Sequence, residues 1–305
     1  MPSLWMLFAS FAFAAMGAAV KLASDFYSTS ELIMYRGLIG TVMLLAMVRQ
    51  RGGTFKTPFP KEHLWRSVVG VSSLWLWFFA IGKLPLATAV TLNYMAPIWI
   101  AAGLFIAGWW SRKNVLEWPL VAAIVMSFIG VTLVLRPAVE SNQWLGGLAG
   151  LCSSVISAMA YMQVRRLGQM GEPEYRVVFY FSLTTTFVGL AGSLAGDGGS
   201  ASFNGHSWYS AALLLAIGIS ALLAQMAMTR AYRVGKVLVV ANLQYTGIVF
   251  SSLWGALLWG DRFDWYVWLG IAVILASGIA ATFYNTGSAA RGAAASTTKP
   301  IASET

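Results

Sequence analysis

Residues 90–110, VTLNYMAPIWIAAGLFIAGWW, run without a single charge, and about 20 such residues suffice to carry a helix across the hydrocarbon of a bilayer. This run constrains the fold more than any other feature, because in lipid every backbone N–H and C=O must be bonded within the protein, which leaves only helices and closed barrels. Barrel strands read as short alternating segments, and this run is long and uninterrupted. Comparable runs recur along the chain. Charged residues make up only 10% of it, apolar residues 58%, and the mean hydropathy is +0.69. A soluble domain carries about 25% charged residues, so this chain has too few to clothe a water-facing surface. The expected class is an all-α polytopic membrane protein embedded in a lipid bilayer.

Ten spans are expected, near residues 3–22, 29–48, 65–82, 86–108, 117–136, 143–164, 176–195, 208–230, 237–259 and 265–285. The first begins MPSLW and lacks the positive leader of a signal peptide. The tail from 287 to 305, small and polar, reads as disordered and cytoplasmic. The net charge of +9 suggests nucleic acid at first sight, but the basic residues lie between apolar segments and mark topology instead, so no nucleic-acid partner is expected. With both termini cytoplasmic, fifteen of the twenty Lys and Arg fall on the inner side, four fall outside, and Arg36 alone lies within a span. That asymmetry places both termini in the cytoplasm. The single cysteine, Cys152, excludes an internal disulfide and reads as a packing residue.

Ten spans divide into two sets of five, and an odd number per set makes the second set cross in the opposite sense. The expected organisation is a first repeat over 1–138 and an inverted second repeat over 139–286, a common transporter plan with the site near the midplane. Two polar phrases support it: TLNY at 91–94 and NLQY at 242–245, about 151 residues apart. Leu92 matches Leu243, Tyr94 matches Tyr245, and the polar Thr91 and Asn93 become Asn242 and Gln244. At 1.5 Å per residue, each phrase lies roughly 12 Å into its span, from opposite faces. Pro97 withholds an N–H from the carbonyl of Asn93, and Gly247 lies beside the corresponding place in the ninth span. These two are the candidate gating positions.

The ten spans, the five-plus-five repeat, the YMAPIW phrase and Arg36 in LIMYRGLIG together resemble the drug/metabolite transporter superfamily, and specifically its EamA-type permeases. Over residues 3 to about 286 the chain looks most like bacterial exporters of aromatic and other neutral amino acids. The resemblance implies a central cavity lined by helices of both halves, with the fifth and tenth spans on its outer side. Such permeases often end the fourth helix of each repeat with a glycine–glutamate pair. Here the second repeat has Gly260–Asp261, and the first reads WWSRK.

The candidate substrate-binding residues are Trp77, Asn93, Tyr94, Tyr161, Gln225, Asn242, Gln244 and Tyr245. Amides and phenols hydrogen-bond the ends of a zwitterion, and aromatic rings pack on its side chain. Arg36, costly at membrane depth, is expected either to tie helices together or to bind a substrate carboxylate. Trp109, Trp110, Trp118, Trp208 and Trp265 lie near span ends and read as an interfacial belt. Both histidines, His63 and His206, fall in expected loops, so the clustered ligands of an intramembrane metalloenzyme are missing, and neither metal, cofactor nor enzyme activity is expected. No Asp or Glu lies centrally in a span, which favours facilitated diffusion over proton coupling. The expected protein is a monomeric exporter working by alternating access on a small neutral or aromatic amino acid. The alternatives are an exporter of drugs or nucleobase-like metabolites, possibly proton-coupled by a terminal acid, and a non-transporting scaffold subunit.

Overall fold

A computed structural model describes residues 2–84, 86–111, 117–135, 144–195, 207–260 and 263–297. All regular structure among them is helical, in the order α1 (Pro2–Ala23), α2 (Thr29–Arg51), α3 (Pro60–Lys83), α4 (Leu86–Asn93), α5 (Ala96–Ser111), α6 (Trp118–Leu135), α7 (Trp144–Gln169), α8 (Glu174–Leu194), α9 (Trp208–Val234), α10 (Val237–Leu243), α11 (Thr246–Trp259) and α12 (Trp265–Thr297). Nine stretches among the described residues are long and apolar enough to cross a membrane, with α4–α5 and α10–α11 each forming one of them. The remaining expected span is α3. Its 24 residues reach about 36 Å, but Lys61, Glu62, Arg66 and Lys83 raise its polarity. The protein is an all-helical polytopic membrane fold.

Local signals set several helix ends. Ser28 and Glu31 form a reciprocal capping box at the start of α2, and Gly52 ends that helix in the left-handed conformation. Pro60 opens α3, where its missing N–H costs nothing. This start moves α3 five residues ahead of the expected 65. As a result His63, expected in a loop, sits on the first turn of α3 and is buried; His206 lies outside the described residues. The last helix runs to Thr297, beyond the expected end near 285, because the Ala-rich sequence after it retains high helix propensity. Cys152 is exposed on α7 and does not pack inside the bundle as expected.

The heaviest helix pairings all join one of the first five spans to one of the last five: α1 with α9, α3 with α7, α2 with α8, and α6 with α12. The scheme is reciprocal, since the first and third spans pack on the eighth and sixth. Glycines permit the closest crossings. A Cβ on Gly130 of α6 would lie 2.7 Å from the Gly270 carbonyl oxygen of α12, and one on Gly270 would lie 2.6 Å from the Gly130 carbonyl oxygen. These backbones therefore touch, as small-residue interfaces in membranes allow. Gly146 and Gly150 of α7 seat Leu84 and Leu92 of the same chain. The outer surface is apolar, and the five tryptophans expected at an interface are all well exposed at helix ends, Trp110 at 87%.

At the end of the bundle that carries Arg49 and Arg51, a buried polar knot joins the α2–α3 loop to the α7–α8 link. Glu172 accepts a hydrogen bond from the Thr57 hydroxyl at 2.9 Å and one from Arg176 at 3.4 Å, and pairs with His63 Nε2 at 3.1 Å. His63 packs on the Tyr180 ring, with centroids 4.6 Å apart. Glu172→Ala strands these donors in a buried site and is expected to cost about 3 kcal/mol. Thermal unfolding in detergent checks this, and an unchanged midpoint would remove the knot from the list of stabilising features.

Candidate transport site

The two polar phrases are where the two spans break. In the fourth span, helix ends at Asn93 and restarts at Ala96; in the ninth it ends at Leu243 and restarts at Thr246. At both breaks the hydrogen bonds tighten to three-residue spacing: Met95 N–H donates to the Leu92 carbonyl at 3.1 Å, and Tyr245 N–H to the Asn242 carbonyl at 3.2 Å. Pro97 lies in the first turn of α5 and is buried, a position that proline tolerates. The break therefore precedes Pro97 rather than centring on it. At the second break the Leu243 carbonyl is taken by the Thr246 hydroxyl at 2.6 Å and the Ser10 hydroxyl of α1 at 3.4 Å. Broken helices at membrane depth persist only where protein or a cavity covers the freed groups.

The equivalent tyrosines at the two breaks meet. The Tyr94 and Tyr245 rings stack with centroids 6.2 Å apart, inclined by 27°. Tyr245 is wholly buried, and its hydroxyl has no hydrogen-bond partner. Gly247 makes this approach possible, because a Cβ there would lie 2.8 Å from the Tyr94 hydroxyl. Gln244 Nε2 donates to the Tyr161 hydroxyl of α7 at 3.0 Å, and Tyr161 stacks on Tyr232 of α9 at 5.6 Å. The Tyr232 hydroxyl and the Gln244 carbonyl oxygen are also buried without partners. Tyr232 was not among the sequence candidates, and nothing in its sequence context, TRAYRV, sets it apart.

The other candidates lie apart from this cluster. Asn93 Nδ2 reaches Ser153 Oγ at 3.5 Å, on the α3–α7 seam where Ser73, Ser153 and Ser157 bond one another. Asn242 accepts from Ser127 of α6 at 2.8 Å and thus ties α10 to its neighbour, although its Nδ2 has no partner. Trp77 is half-buried one turn beyond Ser73 on α3. Gln225 and Arg36 line a separate narrow cleft with Gly37, Phe181, Ser182 and Thr185. Its centre has room for barely one water molecule.

Arg66 corrects a sequence expectation. At the edge of the expected third span it reads as one of the fifteen inner-side cations, yet it lies one and a half turns into α3 and is only 4% exposed. Its guanidinium lies 4.4 Å from the centre of the Phe181 ring, and that of Arg36 lies 5.8 Å from the same ring. Arg36 is therefore not alone within the bundle. The charge difference between the two ends of the bundle falls by one but keeps its sign.

Comparison with known proteins agrees with this architecture. The EamA-like transporter family matches residues 1–136 and again 144–283. The pseudopaline exporter CntI of Pseudomonas aeruginosa is 31% identical, over 89% of this chain and 92% of its own. A riboflavin transporter of Vibrio cholerae is 28% identical, over 90% of each. A solved crystal structure superposes with a TM-score of 0.76 at 19% identity, covering 93% of this chain and 96% of that one, a likeness of fold. With a family match across nearly all of its length and a relative above 30% identity, the chain belongs to the EamA-like transporter family.

Proposed function

We propose that this membrane transporter is an exporter that moves small metabolites out of the cytoplasm by alternating access, with neutral and aromatic amino acids as the leading cargo. The carrying observation is the meeting of the two helix breaks at the stacked Tyr94 and Tyr245. Two repeats, 1–138 and 139–286, are the rocking bodies in this reading, and the separate family matches over 1–136 and 144–283 support that division. Unpaired polar atoms at Tyr245, Tyr232 and Gln244 supply donors and acceptors for a zwitterion once the halves part. Tyr94, Tyr161, Gln244 and Tyr245 are assigned to the cargo; Pro97 and Gly247 flank the hinges. Asn93, Asn242, Trp77 and Gln225 act around them, with the first two holding neighbouring helices.

The tight packing of the tyrosines and the narrowness of the cleft leave no room for cargo until the halves part. Both termini lie in the cytoplasm, and the protein works as a monomer in a bacterial inner membrane by facilitated diffusion. The export direction draws support from the relative named an exporter. The second reading, an exporter of drugs or nucleobase-like metabolites, draws support from the relative that transports riboflavin.

The test is counterflow in proteoliposomes. Vesicles loaded with unlabelled tryptophan, phenylalanine, leucine or threonine are expected to accumulate the labelled amino acid transiently, with and without a pH gradient, and empty vesicles are not. Counterflow of riboflavin without any of the amino acids would move the assignment to the second reading. Accumulation that requires the pH gradient would replace facilitated diffusion by proton coupling.

A further inference from the structure

Among the described residues, two guanidiniums lie in the bundle without a carboxylate, that of Arg66 buried and that of Arg36 half-buried. Arg66 Nε and Nη1 and Arg36 Nε have no hydrogen-bond partner, and the two groups flank one ring, close enough for like charges away from water to repel. The ion pairs described for the chain use other residues: Glu172 with His63 and Arg176, Glu62 with Arg166, Glu174 with Arg233, and Glu117 with Lys236. An arginine at membrane depth ordinarily faces an acid or a run of carbonyls. Here both face one ring, that of Phe181, which lines the cleft with Arg36, Ser182 and Gln225. The ring offers only its face, an attraction of the order of a weak hydrogen bond, and leaves the in-plane N–H forks unused. Those forks match planar carboxylates in a two-point fashion.

Tyr161, which bonds Gln244 at the second helix break, lies within electrostatic reach of Arg66. An extended molecule can therefore reach from the arginines to the tyrosines once the helices part. Arg66 is about 9 Å along α3 from the basic face and Arg36 about 10 Å along α2 from the opposite one, so the pair spans the middle of the bundle.

We propose that Arg36 and Arg66 form the anionic subsite of the transport pathway and select cargo with two carboxylates, an amino acid or conjugate with net negative charge, over one with a single carboxylate. The proposal rests on the alternating-access reading above and, within it, puts anionic cargo ahead of the neutral amino acids named there. One carboxylate answers each guanidinium, the mutual repulsion of the pair is relieved on binding, and Gln225 and Ser182 are placed to bond the remaining oxygens. A monocarboxylate leaves one cation unanswered.

The test uses purified full-length protein in detergent at matched ionic strength, with glutamate, citrate, leucine and inorganic phosphate as probes and thermal unfolding as the readout. Citrate and glutamate are expected to raise the midpoint, and leucine to raise it far less. In the double variant Arg36→Gln/Arg66→Gln the citrate response is expected to vanish, while the ligand-free midpoint stays level or rises because two unanswered cations are gone. A ligand-free midpoint that falls sharply would make the pair a structural tie and overturn the proposal. Equal responses to leucine and citrate in the native protein would overturn it without any variant. A response to phosphate alone, or to added phosphatidylglycerol alone, would assign the forks to a phosphate or a lipid headgroup and overturn the dicarboxylate selection. Counterflow separates this outcome from the reading beneath it. Leucine counterflow without a citrate or glutamate response in binding leaves the exporter and removes the subsite. Anion-dependent stabilisation without counterflow of any probe keeps the subsite and removes the exporter.

Discussion

Gly130→Leu is expected to yield no stably folded protein. The Gly130 and Gly270 backbones of α6 and α12 touch, each glycine facing the carbonyl of the other at 2.6–2.7 Å from where a Cβ would stand. A carbonyl that belongs to a helix cannot turn aside, so four added carbons must force the two helices apart along their length. Overpacking against movable side chains costs about 1–3 kcal/mol; against backbone the cost rises above that range. Size-exclusion profiles and thermal unfolding of tagged protein in detergent check the result. Gly130→Ala is expected to be intermediate. A leucine variant with a native midpoint would mean that the crossing is looser than described.

Tyr94→Ala is expected to lower counterflow flux by about tenfold or more while leaving the amount of protein in the membrane near native. The ring is half-buried and stacks on the buried Tyr245, so its loss removes a wall of the site more than a piece of core; an aromatic contact contributes about 0.5–1.5 kcal/mol beyond its area. Gln244→Ala is expected to act in the same direction and more weakly, because it removes one hydrogen bond, to Tyr161, worth about 1 kcal/mol. Tyr94→Phe separates ring from hydroxyl, and retention of most flux in it would assign the effect to the ring. Full flux in both Tyr94→Ala and Gln244→Ala would detach the polar phrases from transport.

The helices were legible because lipid imposes a length and a polarity on each of them, and a single chain supplies both locally. The pairing of TLNY with NLQY was legible as a repeated phrase, and the two broken helices meet there. What the sequence obscured were contacts between distant segments. Arg66 follows the loop KTPFPKEH and reads as a membrane-edge cation; only the packing of α3 against α8 carries it inward to Phe181. His63 is hidden for the same reason, since its partner Glu172 is 109 residues away. Asn93 and Asn242 carry the polarity expected of a site, yet each answers a serine on a neighbouring helix. Residue type alone does not separate these two uses of an amide.

The reciprocal pairing of α1 with α9 and α3 with α7 bears on how the molecule is made. When a ribosome has delivered only the first five spans, their principal docking surfaces have nothing to meet and remain greased by lipid. Assembly is consequently a late event, deferred until the eighth span has entered the membrane, and a quality-control protease has that whole interval in which to act on a stalled chain.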